Sequence, residues 1–399
     1  MYDIQKIASV FIFAIFLFGG LADLPRLISF GSFSGGFALN IISISPLFLL
    51  LSLRPFIYKQ TNGLLLACTL FLAWVFFSFS WAPRLTNEGI QNTIIYTGFI
   101  VCIFTSIHIA SNNTYTKTLW FKSIHLGVLV LTCSYLIHAI IIEKSFFISR
   151  AAIPLACLWG ISFLVARWHT EEKASYLFAA TGLLLITVLT SARMPLLLGI
   201  LLIALGASLK GSTISIARVL FFACSSAIIL FFAVSQVESL QSAFFKGDRA
   251  FKIGSIYLNT SGRITLWTVT LNNILTTPWI GQGAGTSVIS LDAIKFSSHP
   301  HNDYLRLLHD FGIIGFSLWM LVTLKLFRHV VRAWQDAYKR DCIKEKVIHL
   351  TAILSLLACF LSMLTDNTIV YGFFMFPLGS IVGASIGISI RHGQPSTIR

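Results

Sequence analysis

The chain has 399 residues, 56% of them hydrophobic and only 11% charged, with a mean hydropathy of +0.82 and a net charge of +14. An ordinary soluble domain carries about 25% charged residues, and a soluble fold of this size could not hide so much apolar surface from water. A cytosolic enzyme, a disulfide scaffold and a disordered tail are excluded; apolar runs of whole helical length, without alternation, exclude a β-barrel.

What remains is an all-α, polytopic membrane protein. Apolar runs long enough to cross a bilayer core fall near 7–22, 37–53, 63–81, 89–110, 121–142, 150–166, 174–190, 194–209, 217–235, 304–326, 347–364 and 371–390, giving about twelve transmembrane helices in a single domain over 1–399. The first run has no small-residue cleavage site after it and reads as a retained span. The spans at 174–190 and 194–209 are parted only by Thr190 to Arg193, so one long helix is the competing reading there.

Lys and Arg crowd onto alternate loops, from Lys6, Arg54 and Lys59 to the basic run Lys325–Lys346 and Arg391. The positive-inside tendency then puts both termini in the cytoplasm. The same rule accounts for the net charge, so no nucleic-acid partner is expected; the basic run is an anchor that meets anionic membrane lipids. The seven cysteines show no CxxC or Cys/His ligand spacing, which indicates neither a disulfide framework nor a metal site.

One long segment, 236–303, between the ninth and tenth spans, is too polar for the membrane and falls on its outer side. It carries an amphipathic helix from Ser261 to about Thr276, capped by Ser261, with Ile264, Trp267, Leu271 and Leu275 on one face. Pro278 stops that helix, and Gly281, Gly283 and Gly285 make a flexible turn. The run Gly281-Gln282-Gly283-Ala284-Gly285 follows no strand and opens no βαβ unit, so it is not a dinucleotide fingerprint. A loop this long in a compact protein usually carries function.

The sharpest chemical signal is Pro300-His301-Asn302-Asp303-Tyr304-Leu305, at the return to the membrane. Pro300 suits the first helical position, with Ser298 or His299 as cap. His301 then lies in the first turn, where the helix end disfavours imidazolium and keeps a neutral base. The bland alternative is an interfacial histidine satisfying backbone groups. Arg193 and Arg263, both on the outer side, offer planar donor forks that match phosphate oxygens; the alternatives are snorkelling to headgroups and a solvated helix face. The scattered acids of the loop suggest no divalent metal.

These residues resemble the O-antigen ligase family, whose superfamily also holds O-antigen polymerases and bacterial O-oligosaccharyltransferases. The resemblance rests on Thr190-Ser191-Ala192-Arg193, Arg263 with Trp267, Pro278-Trp279-Ile280-Gly281-Gln282-Gly283, the Pro300–Leu305 motif and Gly312-Ile313-Ile314-Gly315, and covers about 190–330. It implies a membrane-embedded glycosyltransferase of the C type at the periplasmic face of the bacterial inner membrane. The donor would be a glycan on undecaprenyl pyrophosphate and the acceptor a lipid A–core sugar. The reaction would be inverting, independent of metal and without a cofactor. Arg193 and Arg263 match the pyrophosphate-holding positions, and His301 the position that activates the acceptor hydroxyl. His299, Asn302, Asp303 and Tyr304 could touch acceptor or support the site. His299 at two-residue spacing is a rival base, and Asp303 could orient a histidine or bind acceptor sugar. Competing activities are a polymerase of the same architecture, a protein O-oligosaccharyltransferase and a lipid-linked oligosaccharide flippase. Flippases tend to place charge at the bilayer midplane, whereas here it gathers at one outer face.

Overall fold

A computed structural model describes residues 2–22, 24–27, 29–30, 33–34, 41, 59–112, 116–146, 152–190, 192–210, 213–214, 217, 251–253, 256–292 and 299–392. Its helices, in chain order, are α1 (Tyr2–Leu21), α2 (Asn62–Ser78), α3 (Asn87–Asn112), α4 (Thr116–Ile137), α5 (Ala152–Glu171), α6 (Ala174–Leu189), α7 (Arg193–Ser208), α8 (Arg263–Thr276), α9 (Ser287–Asp292), α10 (Asp303–Lys339), α11 (Ile343–Ser362) and α12 (Gly372–His392). Short antiparallel pairs, such as Phe251–Ile253 with Ile256–Leu258, are the strands among the described residues.

Seven helices among the described residues are long and apolar enough to cross a membrane, and Val10–Leu21, Ala174–Leu189 and Arg193–Ser208 are shorter apolar helices. Ten of the expected runs thus coincide with helices. The runs at 37–53 and 217–235, and the start of the long loop at 236–250, lie almost wholly outside the described residues. The pair at 174–190 and 194–209 is two helices packed on each other, broken at Thr190–Ala192.

Packing fixes the helices that carry the site. Along α12, Gly379, Gly383 and Gly387 recur every four residues. A Cβ there would stand 2.8, 2.2 and 2.4 Å from the carbonyl oxygens of Phe99, Ile103 and Ile107 on α3. Small residues at this spacing let two backbones approach, the usual means of association where lipid removes the hydrophobic drive. Ser380 at the same seam is 3.2 Å from Ser106 and accepts from Trp120 Nε1 at 3.1 Å. This anchors α3, and with it Glu88 in its first turn.

Helix α10 is broken at Gly312, whose φ of 64° and ψ of −171° leave the helical region. The loop segment 277–283 fills the break with its own backbone. Ile313 and Ile314 donate to the carbonyls of Pro278 (2.8 Å) and Trp279 (3.2 Å), while Gln282 and Gly283 donate to those of His309 (2.8 Å) and Asp310 (2.9 Å). A Cβ on Gly312 would stand 2.3 Å from Trp279 O, so glycine is required both for its φ and for this contact. The glycine turn is therefore a buried, fixed piece rather than the flexible turn expected. Buried Asp310 accepts from the amides of Gly285 (3.1 Å) and Ser287 (3.0 Å), and Gly285 O accepts from Thr86 Oγ1 at 3.2 Å, next to the start of α3.

The loop helix also departs from expectation. It starts at Arg263 with Gly262 as cap, and Ser261 makes no capping bond. Its buried face is Leu266, Thr270 and Ile274, whereas Leu271 and Leu275 are 47% and 75% exposed. The expected stripe is therefore divided: Ile264 and Trp267 are half-buried, and Leu271 and Leu275 point outward.

Candidate active site

The polar pocket is built at the first turn of α10, where loop, α3, α8 and the α11–α12 connection meet. Helix α10 begins at Asp303, and its cap is Asn302, whose Oδ1 accepts from Leu305 N at 3.1 Å. Asparagine is among the preferred N-cap residues. Pro300 is therefore not the first helical residue, and His301 lies outside the helix, at a φ of 48° that non-glycine residues rarely adopt. The Pro300 carbonyl instead accepts from Trp267 Nε1 at 2.9 Å, which ties the histidine loop to α8.

The surroundings of His301 favour its neutral ring. Burial first, then the positive charge of Arg263 and the neighbouring His299 and Arg306, push its pKa down from 6.5 to about 4. Desolvation and nearby cations both disfavour imidazolium.

The two arginines expected at the site are brought into one corner. Arg193, the first residue of α7, donates to Asn259 O and to Ser261 Oγ. Two residues on, Arg263 donates from Nε to Thr365 O at 3.2 Å, and its charge acts on both His301 and Asp366. Asp366 is almost wholly buried, and burial raises its pKa.

Four residues that the sequence reading passed over complete the pocket: Glu88, Arg306, Asp366 and Asn367. Arg306 is completely buried. It donates from Nη2 to Asn367 Oδ1 at 2.7 Å, and its guanidinium stands 3.7 Å from Glu88 Oε1 and 3.9 Å from Asp303 Oδ1. Arg306 Nε and Nη1 and Asp303 Oδ1 are buried without a hydrogen bond. His299 Nδ1 is 2.9 Å from Glu88 Oε1, and Asn367 Nδ2 is 3.1 Å from His301 Nδ1. The two imidazole rings are 6.4 Å apart, edge to face. An ionisable residue within a membrane span is a functional signal by default; Arg306, inside the run expected at 304–326, is the residue that could have flagged this cluster.

The other motif residues are occupied within the protein. Asn302 caps α10, Asp303 Oδ2 accepts from Ile369 N at 2.9 Å, and Tyr304 donates to Phe360 O at 2.6 Å. They support the site's backbone. Beside the turn that carries Glu88, Phe76, Phe79, Leu85, Ile90 and Ile94 line an apolar groove between α2 and α3.

Fold and site together define a multi-pass helical membrane protein with a charged pocket where one broken helix meets its loop. Residues 176–320 match the family model described as O-antigen ligase, and over that stretch the chain is similar to that family, whose members are glycosyltransferase-like enzymes of glycan assembly. The matched stretch holds Arg193, Arg263, His299, His301 and Arg306; Glu88, Asp366 and Asn367 lie outside it. No curated protein matches the chain.

Proposed function

We propose that this chain is an O-antigen ligase, transferring a glycan from undecaprenyl pyrophosphate to a hydroxyl of a lipid A–core sugar, with inversion and without metal. The observation that carries this reading is the meeting of Arg193 and Arg263, from separate segments, beside the pair His299 and His301. A pyrophosphate is already a good leaving group, and two fixed guanidinium forks can hold its growing charge. A sugar hydroxyl is a weak nucleophile and gains from a placed base; the two histidines are the groups suited to that task. The groove between α2 and α3 offers an apolar path for a lipid tail beside the pocket. The site faces the periplasm and both termini the cytoplasm, a placement supported by the basic residues at the far end of α10, from Arg328 to Lys346.

The test is the lipopolysaccharide of a strain lacking the gene. Loss of capped core with lipid-linked polymer retained is the expected result, and core bearing a single repeat unit would make the enzyme a polymerase instead. Purified protein is expected to keep full transfer in excess EDTA; loss of activity restored by magnesium or manganese would refute the metal-free mechanism.

A further inference from the structure

The stretch 263–283, which the sequence places wholly outside the membrane, is pinned to the transmembrane helices at two depths. Its upper end is fixed beside the start of α10, where Arg263 Nε donates to Thr365 O at 3.2 Å and Trp267 Nε1 to Pro300 O at 2.9 Å. Its lower end is fixed at the break in α10, where Ile313 and Ile314 donate to the carbonyls of Pro278 and Trp279. Helix α10 is long and apolar enough to cross a membrane. At a rise of about 1.5 Å per residue, Asp303 and Lys325 are roughly 33 Å apart, close to a hydrocarbon core of about 30 Å. Gly312 then lies roughly 14 Å below Asp303 and roughly 20 Å above Lys325. Helix α2 gives the same level. A Cβ on Gly63, near its start, would stand 3.1 Å from Lys325 Nζ, and Trp74 Nε1, one turn before its end, donates to Phe311 O at 3.0 Å. The splice is therefore inside the core, in the half nearer the pocket. The 14 residues of α8 rise about 21 Å, enough to run obliquely from the pocket down to that level.

The exposed surface changes along this descent. Toward the start of α8 the exposed residues are Thr265 and Thr268; toward its end Leu271 and Leu275 are exposed, with Asn272 and Thr276 beside them. Beyond the helix Trp279 is 66% exposed, and Ile280 is exposed too. Both adjoin Ile313 and Ile314, which are exposed on α10 itself. The apolar surface of the loop thus continues that of a membrane span. The end of α8 is also closed from within. A helix end leaves carbonyls free, but Gln282 Nε2 reaches back to Asn273 O at 3.0 Å and to Thr276 Oγ1 at 3.3 Å. Thr276 spends its own hydroxyl on Asn273 O at 2.7 Å, and Thr277 N donates to Ile274 O at 3.3 Å. In lipid, polar groups of the backbone must find partners within the protein, and irregular chain is tolerated only where protein supports it. The splice and these bonds supply that support.

We propose that Leu271, Leu275, Trp279 and Ile280 are immersed in the acyl chains of the leaflet on the pocket's side, so that α8 and 277–283 form a re-entrant element of the membrane domain. The chain enters the leaflet beside the pocket at Arg263, reaches its deepest point where it is spliced to α10, and returns through Gln282 and Gly283, which donate to His309 O and Asp310 O. The partner of this surface is phospholipid. Exposed apolar patches that continue one another mark such contacts, and the continuity with Ile313 and Ile314 selects lipid over a second protein. The pocket then opens at the level of the lipid headgroups, with a wall of the membrane domain on its α8 side.

The test reads depth without any turnover. Full-length protein is reconstituted into vesicles of phosphatidylethanolamine and phosphatidylglycerol. A dansyl amino acid is introduced by stop-codon suppression at Thr265, Leu275 or Trp279, or at the exposed Leu321 as a reference within the span of α10. Phospholipid brominated on its acyl chains quenches a label that touches lipid, and iodide on both sides of the membrane quenches one that touches water. Labels at 275 and 279 are expected to lose to brominated lipid at least half the fraction of emission lost at 321, and to lose less to iodide than the label at 265. Iodide quenching at 275 and 279 as strong as at 265 overturns the proposal. So does shelter from both quenchers, which would mean that another part of this chain or a second copy covers the face. Trp279→Phe is a check without a label: the part of the tryptophan emission that brominated lipid quenches is expected to fall, and an unchanged part overturns the placement of Trp279. This placement needs only that α10 crosses the membrane, so failed glycan transfer refutes the proposed function alone.

Discussion

The two ends of α10 treat charge in opposite ways. At its start, Arg306 and Asp303 have no exposed side-chain surface and leave hydrogen-bonding atoms unused. At its finish, Lys339 and Asp336 pair at 3.5 Å with 79% and 49% of their side chains exposed. Glu345, the buried acid near that end, is met by Arg340 at 3.2 Å and His392 at 2.8 Å. Burying charge is costly, and a buried ionic cluster left partly unsatisfied is not a stability device. The start of the helix carries that cost at the pocket where the proposed function calls for fixed donors. The finish needs only solubility and orientation in the membrane.

The comparison is broken most severely by Arg306→Met. It strips Glu88 and Asp303 of their buried counter-charge and frees Asn367, and removing one partner of a buried pair costs about 3–5 kcal/mol. A markedly lower thermal midpoint in detergent is expected, together with lost transfer; an unchanged midpoint would show the cluster to be solvated. Next comes Arg263→Ala, expected to lower the transfer rate by about 10²–10³, the usual cost of one donor to a developing oxyanion. Arg263→Lys should fall between, since it keeps charge and loses the fork. Wild-type rates in both would end the pyrophosphate assignment.

A smaller effect comes from pH. His301 has its folded pKa lowered from 6.5 to about 4 by burial and by Arg263, His299 and Arg306. As pH falls below 6.5 the unfolded chain binds a proton that the folded one refuses. The folded state thus loses stability from about pH 6.5 down to about 4, where the loss levels off. The thermal midpoint of wild type should decline over that window, and that of His301→Gln should decline less; parallel curves would argue against the shift. The smallest effect belongs to Lys339→Ala, which should change stability by less than about 0.5 kcal/mol.

Much of the scaffold was legible, because spans are written in long apolar runs that bilayer thickness bounds. The arginines and the histidine motif were legible as chemistry. Their partners were not, because Glu88 and Asn367 reach the pocket from other helices, and a single sequence carries no sign of that proximity. The helix start was misplaced because Pro300 suits a first helical position, with Ser298 or His299 before it, whereas α10 starts at Asp303 with Asn302 as its cap. The packing of α8 was not legible, because hydrophobic periodicity shows that a stripe exists and cannot say what lies against it.

The backbone splice at Gly312 has a mechanical consequence. Pro278, Trp279, Gln282 and Gly283 supply hydrogen bonds that the broken helix cannot make for itself, so loop and helix form one cooperative unit. The segment that ends α8 cannot swing away like a hinged cover without unravelling the helix at the site. On the proposed function, entry and exit of a bulky lipid-linked sugar would use openings beside this unit, and the four spliced amides should exchange with deuterium together, at one rate.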